Sequence, residues 1–183
     1  MPDFHLFLND DEKKYLKELV TKSIADQFDG RDELPEAPKS EVLKRTLGAF
    51  VTLKIDGHLR GCIGNVQGTG QLFTTIWEMA RAAAFHDPRF PALTREELDK
   101  VEVEISILGP IQECHSPHQI QVGVHGLIVS RGNKSGLLLP QVATENGWNS
   151  ETFLAQTCAK AGLAADAWNK VGSTLFWFEA VVF

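Results

Sequence analysis

A chain of 183 residues has room for about one domain, or one domain with an added lobe, and with 43% hydrophobic, 23% charged and 9% aromatic residues it has a globular rather than a disordered composition. Eighteen Lys and Arg against 24 Asp and Glu leave a net charge of -6, which supplies no electrostatic basis for gripping nucleic acid or an anionic membrane. No apolar run approaches the roughly 20 residues that span a bilayer, residues 1–11 lack a signal-peptide pattern, and Cys62, Cys114 and Cys158 make no paired secreted framework. The expectation is a cytoplasmic protein with reduced thiols, no nucleic-acid partner and no membrane anchor.

In chain order, Asn9-Asp10-Asp11 supplies capping side chains, and Tyr15, Leu16, Leu19, Val20, Ile24 and Phe28 recur at helical spacing up to Gly30. Pro35 and Pro38 make residues 31–40 a loop. Residues 50–64, FVTLKIDGHLRGCIG, form the clearest hairpin signal, with Asp56-Gly57 as a two-residue turn. A regular hairpin opposes Ile55 to His58, Leu53 to Arg60 and Val51 to Cys62, putting His58, Arg60 and Cys62 on one face and Leu59, Ile63 and Phe50 on the other.

Residues 72–85 carry one apolar helical face and stop before Pro88 and Pro91. Thr94 and Glu97 frame a capping box, residues 101–108 alternate as a strand, and Gly109-Pro110 ends it. Strands are then predicted over 121–130 and 136–142, a helix over 150–161 closed by Gly162, and a final strand over 173–183. Strands do not alternate with long crossover helices, so the expectation is an α+β fold, a mainly antiparallel sheet with flanking helices.

Cys62 is the residue with the most distinctive chemistry. Arg60 on the same face gives a thiol a reason to ionise, and Gly61 and Gly64 leave room for a substrate or another backbone to approach. The alternative is that Cys62 is a small core residue facing Val51. His86-Asp87 and Arg89 could project a base and a cation from a helix end, or only satisfy that end. Glu102 and Glu104 share a strand face, which is more commonly a solvated one. His125, between Gly123 and Gly126, is either approached by a ligand or hydrogen-bonded in the core. Cys114-His115 and His118 lack a fourth ligand, so no metal site and no cofactor are expected. The glycines at 61, 64, 68 and 70 match no nucleotide-binding spacing.

Six segments together resemble the AMMECR family, known in bacteria and archaea as AmmeMemoRadiSam system protein A. They are LRGCIG at 59–64, AAFHDPRFP at 83–91, VEISIL at 103–108, VGVHG at 122–126, GLLLPQVA at 136–143, and the run from Trp148 through TCAKAGL at 157–163. The resemblance implies one AMMECR-like domain over 1–183, with a helix and loop at 1–40 and a two-lobed body at 41–183. A larger and a smaller lobe would meet at a cleft holding the glycine-cysteine motif. It also implies a shared pathway with a Memo-type protein and a radical S-adenosylmethionine protein, whose cluster motif this chain lacks.

Within these segments the candidate catalytic residues are Cys62, Glu104 and His125, with Arg60, Gly61, Gly64, Asp87, Arg89 and Gln141 as substrate-binding candidates. Two functions stand side by side. One is a cysteine enzyme in which Cys62 attacks a small molecule, Arg60 favours thiolate or an anionic substrate, and His125 or Glu104 moves protons. The other is a non-catalytic metabolite-binding or adaptor module using the same glycine-lined cleft.

Overall fold

The computed structural model describes residues 6–183, so the first five residues of the segment read for a leader lie outside it. Helix α1 (Asp10–Phe28) starts at the expected cap. Asn9 Oδ1 accepts the Glu12 amide and the Glu12 carboxylate accepts the Asn9 amide, both at 2.9 Å, which satisfies two of the amides a helix start leaves open. Residues 31–38 carry no regular structure.

Strands β1 (Gly48–Ile55) and β2 (His58–Asn65) form the predicted hairpin. Asp56 and Gly57 take φ values of 52° and 74°, the left-handed pair that a tight hairpin turn requires. Ile55 opposes His58 as expected, but the register then slips. Lys54 opposes Leu59 and Leu53 opposes Gly61, so Arg60 is an extra residue in a bulge. Val51 therefore faces Ile63, and Cys62 faces Thr52 rather than Val51. Because side chains alternate with a period of two, one inserted residue moves every later side chain to the opposite face. The expected sharing of one face by Arg60 and Cys62, with Phe50 on the other, is corrected: Phe50 and Cys62 lie on one side.

Helix α2 (Leu72–Phe85) lies against β1 and β2, and α1 against α2. Leu72, Ile76 and Ala80 are 0% exposed and Trp77 only 2%, each large side chain contributing about 2 kcal/mol by burial. Helix α3 (Arg95–Leu98) follows, and β3 (Glu102–Leu108) pairs antiparallel with the other edge of β1. These elements, with Val181–Phe183, form one compact unit. In it Phe183 and Ile105 exchange backbone hydrogen bonds of 2.9 and 3.1 Å.

The second unit spans Gly109–Ala180. It contains β4 (Gln112–Glu113), β5 (His125–Arg131), β6 (Lys134–Leu138), α4 (Pro140–Glu145), α5 (Ser150–Lys160) and most of β7 (Ser173–Val182). β7 pairs antiparallel with β4 and β5, and β5 with β6. Phe153, Leu127, Val129, Leu154, Cys158 and Trp177 belong to one buried cluster. Two expectations are corrected here. Residues 121–124 form a turn with Gly123 at φ 86°, so the strand starts at His125. The strand predicted over 136–142 stops at Leu138, because Pro140 starts a short helix that takes in Val142. The fold class is α+β with antiparallel strands and flanking helices.

Candidate functional site

The hairpin and the end of α2 build the surroundings of Cys62. Its amide donates to Asp87 Oδ2 at 2.9 Å and its carbonyl accepts from Arg89 Nη2 at 3.2 Å. Both backbone groups therefore point away from β1, which makes Thr52 and Cys62 a non-hydrogen-bonded cross-strand pair, the kind whose side chains come closest. Thr52 Oγ1 donates to Cys62 Sγ at 3.3 Å. Thr52 also opposes Glu104 on its other side, so Cys62, Thr52 and Glu104 form one row across the sheet. Lys54 Nζ lies 2.9 Å from Glu104 Oε2.

Asp87 and Arg89 close the open edge of β2. Asp87 is 4% exposed and accepts Arg89 Nε at 2.9 Å, Arg89 Nη2 at 2.7 Å, the Arg89 amide at 3.1 Å and the Cys62 amide. Arg89, first of all, then the amides of Cys62 and Arg89, hold the Asp87 carboxyl far below the usual carboxylate range against the opposing effect of burial. Asp87 in turn holds Arg89 more firmly charged, and Arg89 Nη2 meets the Cys62 carbonyl, so Arg89 is the cation held beside Cys62. The helix-end pairing of Asp87 with Arg89 is present and extends to a strand distant in sequence.

Arg60 takes a different place from the expected one. Its Nε and Nη2 reach the Glu97 carboxylate at 2.8 and 2.9 Å, and Nη1 and Nη2 reach the carbonyls of Pro91 and Ala92. It ties β2 to α3 and its approach, and Arg60, ahead of the Thr94 amide, lowers Glu97 to about 2. The guanidinium that reaches Cys62 is that of Arg89, through the Cys62 carbonyl, and not that of Arg60.

Gly61 and Gly64 are expected to allow approach by a substrate or by another backbone, and the space is taken by the protein's own atoms. A Cβ on Gly61 would meet the Ala83 carbonyl oxygen at 2.1 Å, so the approaching backbone is that of α2. A Cβ on Gly64 would meet the Phe50 ring at 2.3 Å, since Phe50 is its cross-strand partner.

His125 and Gln141 belong to the second unit. His125 is buried, its Nδ1 accepts the Gln121 amide at 3.0 Å, and its ring centre lies 4.7 Å from that of Trp177. Burial lowers its pKa, partly offset by the Glu179 charge. This is a neutral, hydrogen-bonded imidazole with its proton on Nε2. Gln141 is half-buried in the first turn of α4. Of the soft cluster in this unit, Cys114 is buried and His115 is 78% exposed opposite Glu113. Among the described residues no helix is long and apolar enough to cross a membrane.

Thr52 and Glu97 escaped the sequence reading. Thr52 sits among apolar neighbours in an ordinary strand, and only the bulge sets its hydroxyl against Cys62; Glu97 was legible as a cap but not as the partner of Arg60.

Paired antiparallel strands with helices packed on them define an α+β protein. The AMMECR1 family model matches residues 17–183, and the chain belongs to that family. A relative from Methanothermobacter thermautotrophicus is 42% identical, with 96% of this chain and 95% of that protein covered. Protein NEQ441 of Nanoarchaeum equitans is 40% identical over 92% of this chain and 97% of its own. The crystal structure of the uncharacterized protein PH0010 from Pyrococcus horikoshii matches with a TM-score of 0.88 at 37% identity, covering 96% of this chain and 92% of that one.

Proposed function

We propose that the protein is a cysteine-dependent enzyme acting on a small molecule, with Cys62 as nucleophile. The observation that carries this reading is the convergence of the Thr52 hydroxyl and the Arg89 guanidinium on half-buried Cys62, whose amide and carbonyl are both held along the open edge of β2. A hydroxyl donor and a neighbouring cation both stabilise negative charge on sulfur, and a clamped backbone keeps the sulfur in one place. In the reaction Sγ bonds to an electrophilic carbon, the displaced electron pair stays on the substrate or departs with its leaving group, and the thiol proton passes to solvent. The reading extends, on the family resemblance of the motifs, to a pathway shared with Memo-type and radical S-adenosylmethionine proteins in the cytoplasm. The competing reading, a metabolite-binding or adaptor module without chemistry, draws on the Lys54–Glu104 ion pair, which engages the carboxylate expected to move protons.

Site-resolved iodoacetamide labelling of the folded chain separates the two. Cys62 should label while Cys114 and Cys158, both buried, stay protected. Thr52→Val, which keeps the shape and removes the donor, should slow Cys62 by about tenfold, and Thr52→Ser should restore it. A Cys62 that labels only in denaturant would leave the adaptor reading standing.

A further inference from the structure

The guanidinium of Arg89 is spent unevenly. Nε and Nη2 are held by Asp87, and Nη2 also meets the Cys62 carbonyl. Nη1 has no oxygen acceptor among the described residues, although the side chain is 53% exposed and its neighbour is the Cys62 thiol. Arginine normally engages a carboxylate through its planar fork. Here Asp87 fills one edge of that fork and fixes its plane, which leaves the Nη1 N–H pair on the edge that Asp87 does not take. A group held in this way loses little entropy when it binds.

The other charged groups near Cys62 are already matched. Lys54 pairs with Glu104 and Arg60 with Glu97. Thr52 directs its hydroxyl hydrogen at the sulfur. The open donor capacity beside the thiol thus lies on Arg89, and it selects an acceptor.

From this we infer that Arg89 Nη1 is a carboxylate subsite, and that Cys62 acts on small electrophiles carrying a carboxylate close to the reacting carbon. The inference rests on the reading of Cys62 as a nucleophile and names the substrate class for that site. Asp87 is a positioning residue in this scheme, since it acts through Arg89 and the Cys62 amide.

Iodoacetate and iodoacetamide differ in a carboxylate against an amide and undergo the same reaction: the Sγ–carbon bond forms, iodide leaves, and the thiol proton goes to buffer. The experiment measures both rates at Cys62 by mass spectrometry, in the folded full chain and in the same chain in denaturant. The folded chain should favour iodoacetate over iodoacetamide by about 3- to 10-fold relative to the denatured chain. Arg89→Gln should return the ratio to the denatured value. Arg89→Lys, which keeps the charge and part of the clamp, should fall between, with one cooperative thermal unfolding transition of the full chain confirming that each variant is folded. A folded Cys62 that labels readily with both reagents but shows the denatured ratio would overturn the carboxylate subsite and leave the cysteine chemistry in place. A folded Cys62 that takes neither reagent would remove both.

Discussion

Asp87 shows how one side chain can carry a strand. Its carboxylate is only 2% exposed and is surrounded by four hydrogen-bond donors, two of them from the Arg89 side chain and one from the Cys62 amide. Removing it would leave the Cys62 amide and the Arg89 guanidinium short of partners. Leaving a buried donor unmet costs about 1–3 kcal/mol, and Arg89, half in solvent, recovers part of its loss from water. Asp87→Ala should therefore destabilise the protein by about 2–3 kcal/mol, read as a shift of the urea midpoint at unchanged slope. A change below about 0.5 kcal/mol would mean that the clamp does not hold the edge of β2.

At the scale of elements, the contact of α2 with the hairpin depends on the absence of a side chain at Gly61. The Ala83 carbonyl oxygen lies where a Cβ would be, and it is backbone, which has no rotamer to escape into. Gly57 is the contrasting case: a Cβ there meets open space, but its φ of 74° strains any other residue. Gly61→Ala should thus cost about 2–4 kcal/mol by forcing α2 away from β2. Gly57→Ala should cost about 1 kcal/mol through backbone strain alone. Thermal unfolding of both variants checks the order, and a Gly61→Ala protein as stable as Gly57→Ala would contradict the close packing of α2.

For the whole molecule, His125, Glu97 and Asp87 are among the groups that set the response to acid. The folded pKa of His125 is lowered by burial, so its contribution is complete above about 6.5 and declines as the pH falls below that, where the unfolded chain takes up the proton first. Glu97, lowered to about 2, and Asp87, also lowered, contribute stability that is present above the ordinary carboxylate range and is lost progressively as the pH falls from there toward the lowered folded values. Glu97 is 30% exposed, and solvent screening holds its share to about 1 kcal/mol. Urea midpoints measured from pH 8 to pH 3 should fall in two stages, below about 6.5 and again below about 4.5. His125→Asn should remove the first stage and leave the second; a first stage unchanged in that variant would assign it to another group.

Much of the architecture was determined by local chemistry that a sequence displays directly. The Asn9 and Thr94 caps, the positive-φ turn at Asp56-Gly57, and the apolar face of residues 72–85 each act within one turn or one hairpin. Each was placed within a residue or two. The site was legible only as a set of residues, Cys62, Asp87 and Arg89 among them. Its wiring was decided by tertiary structure, because the bulge at Arg60 arises where β2 meets α2 and α3, and no local pattern announces it. That single extra residue takes Arg60 to Glu97, brings Thr52 to Cys62, and leaves Arg89 as the cation beside Cys62. Register is a property of paired strands and the helices packed on them, so it is settled by packing rather than by the order of residues along either strand.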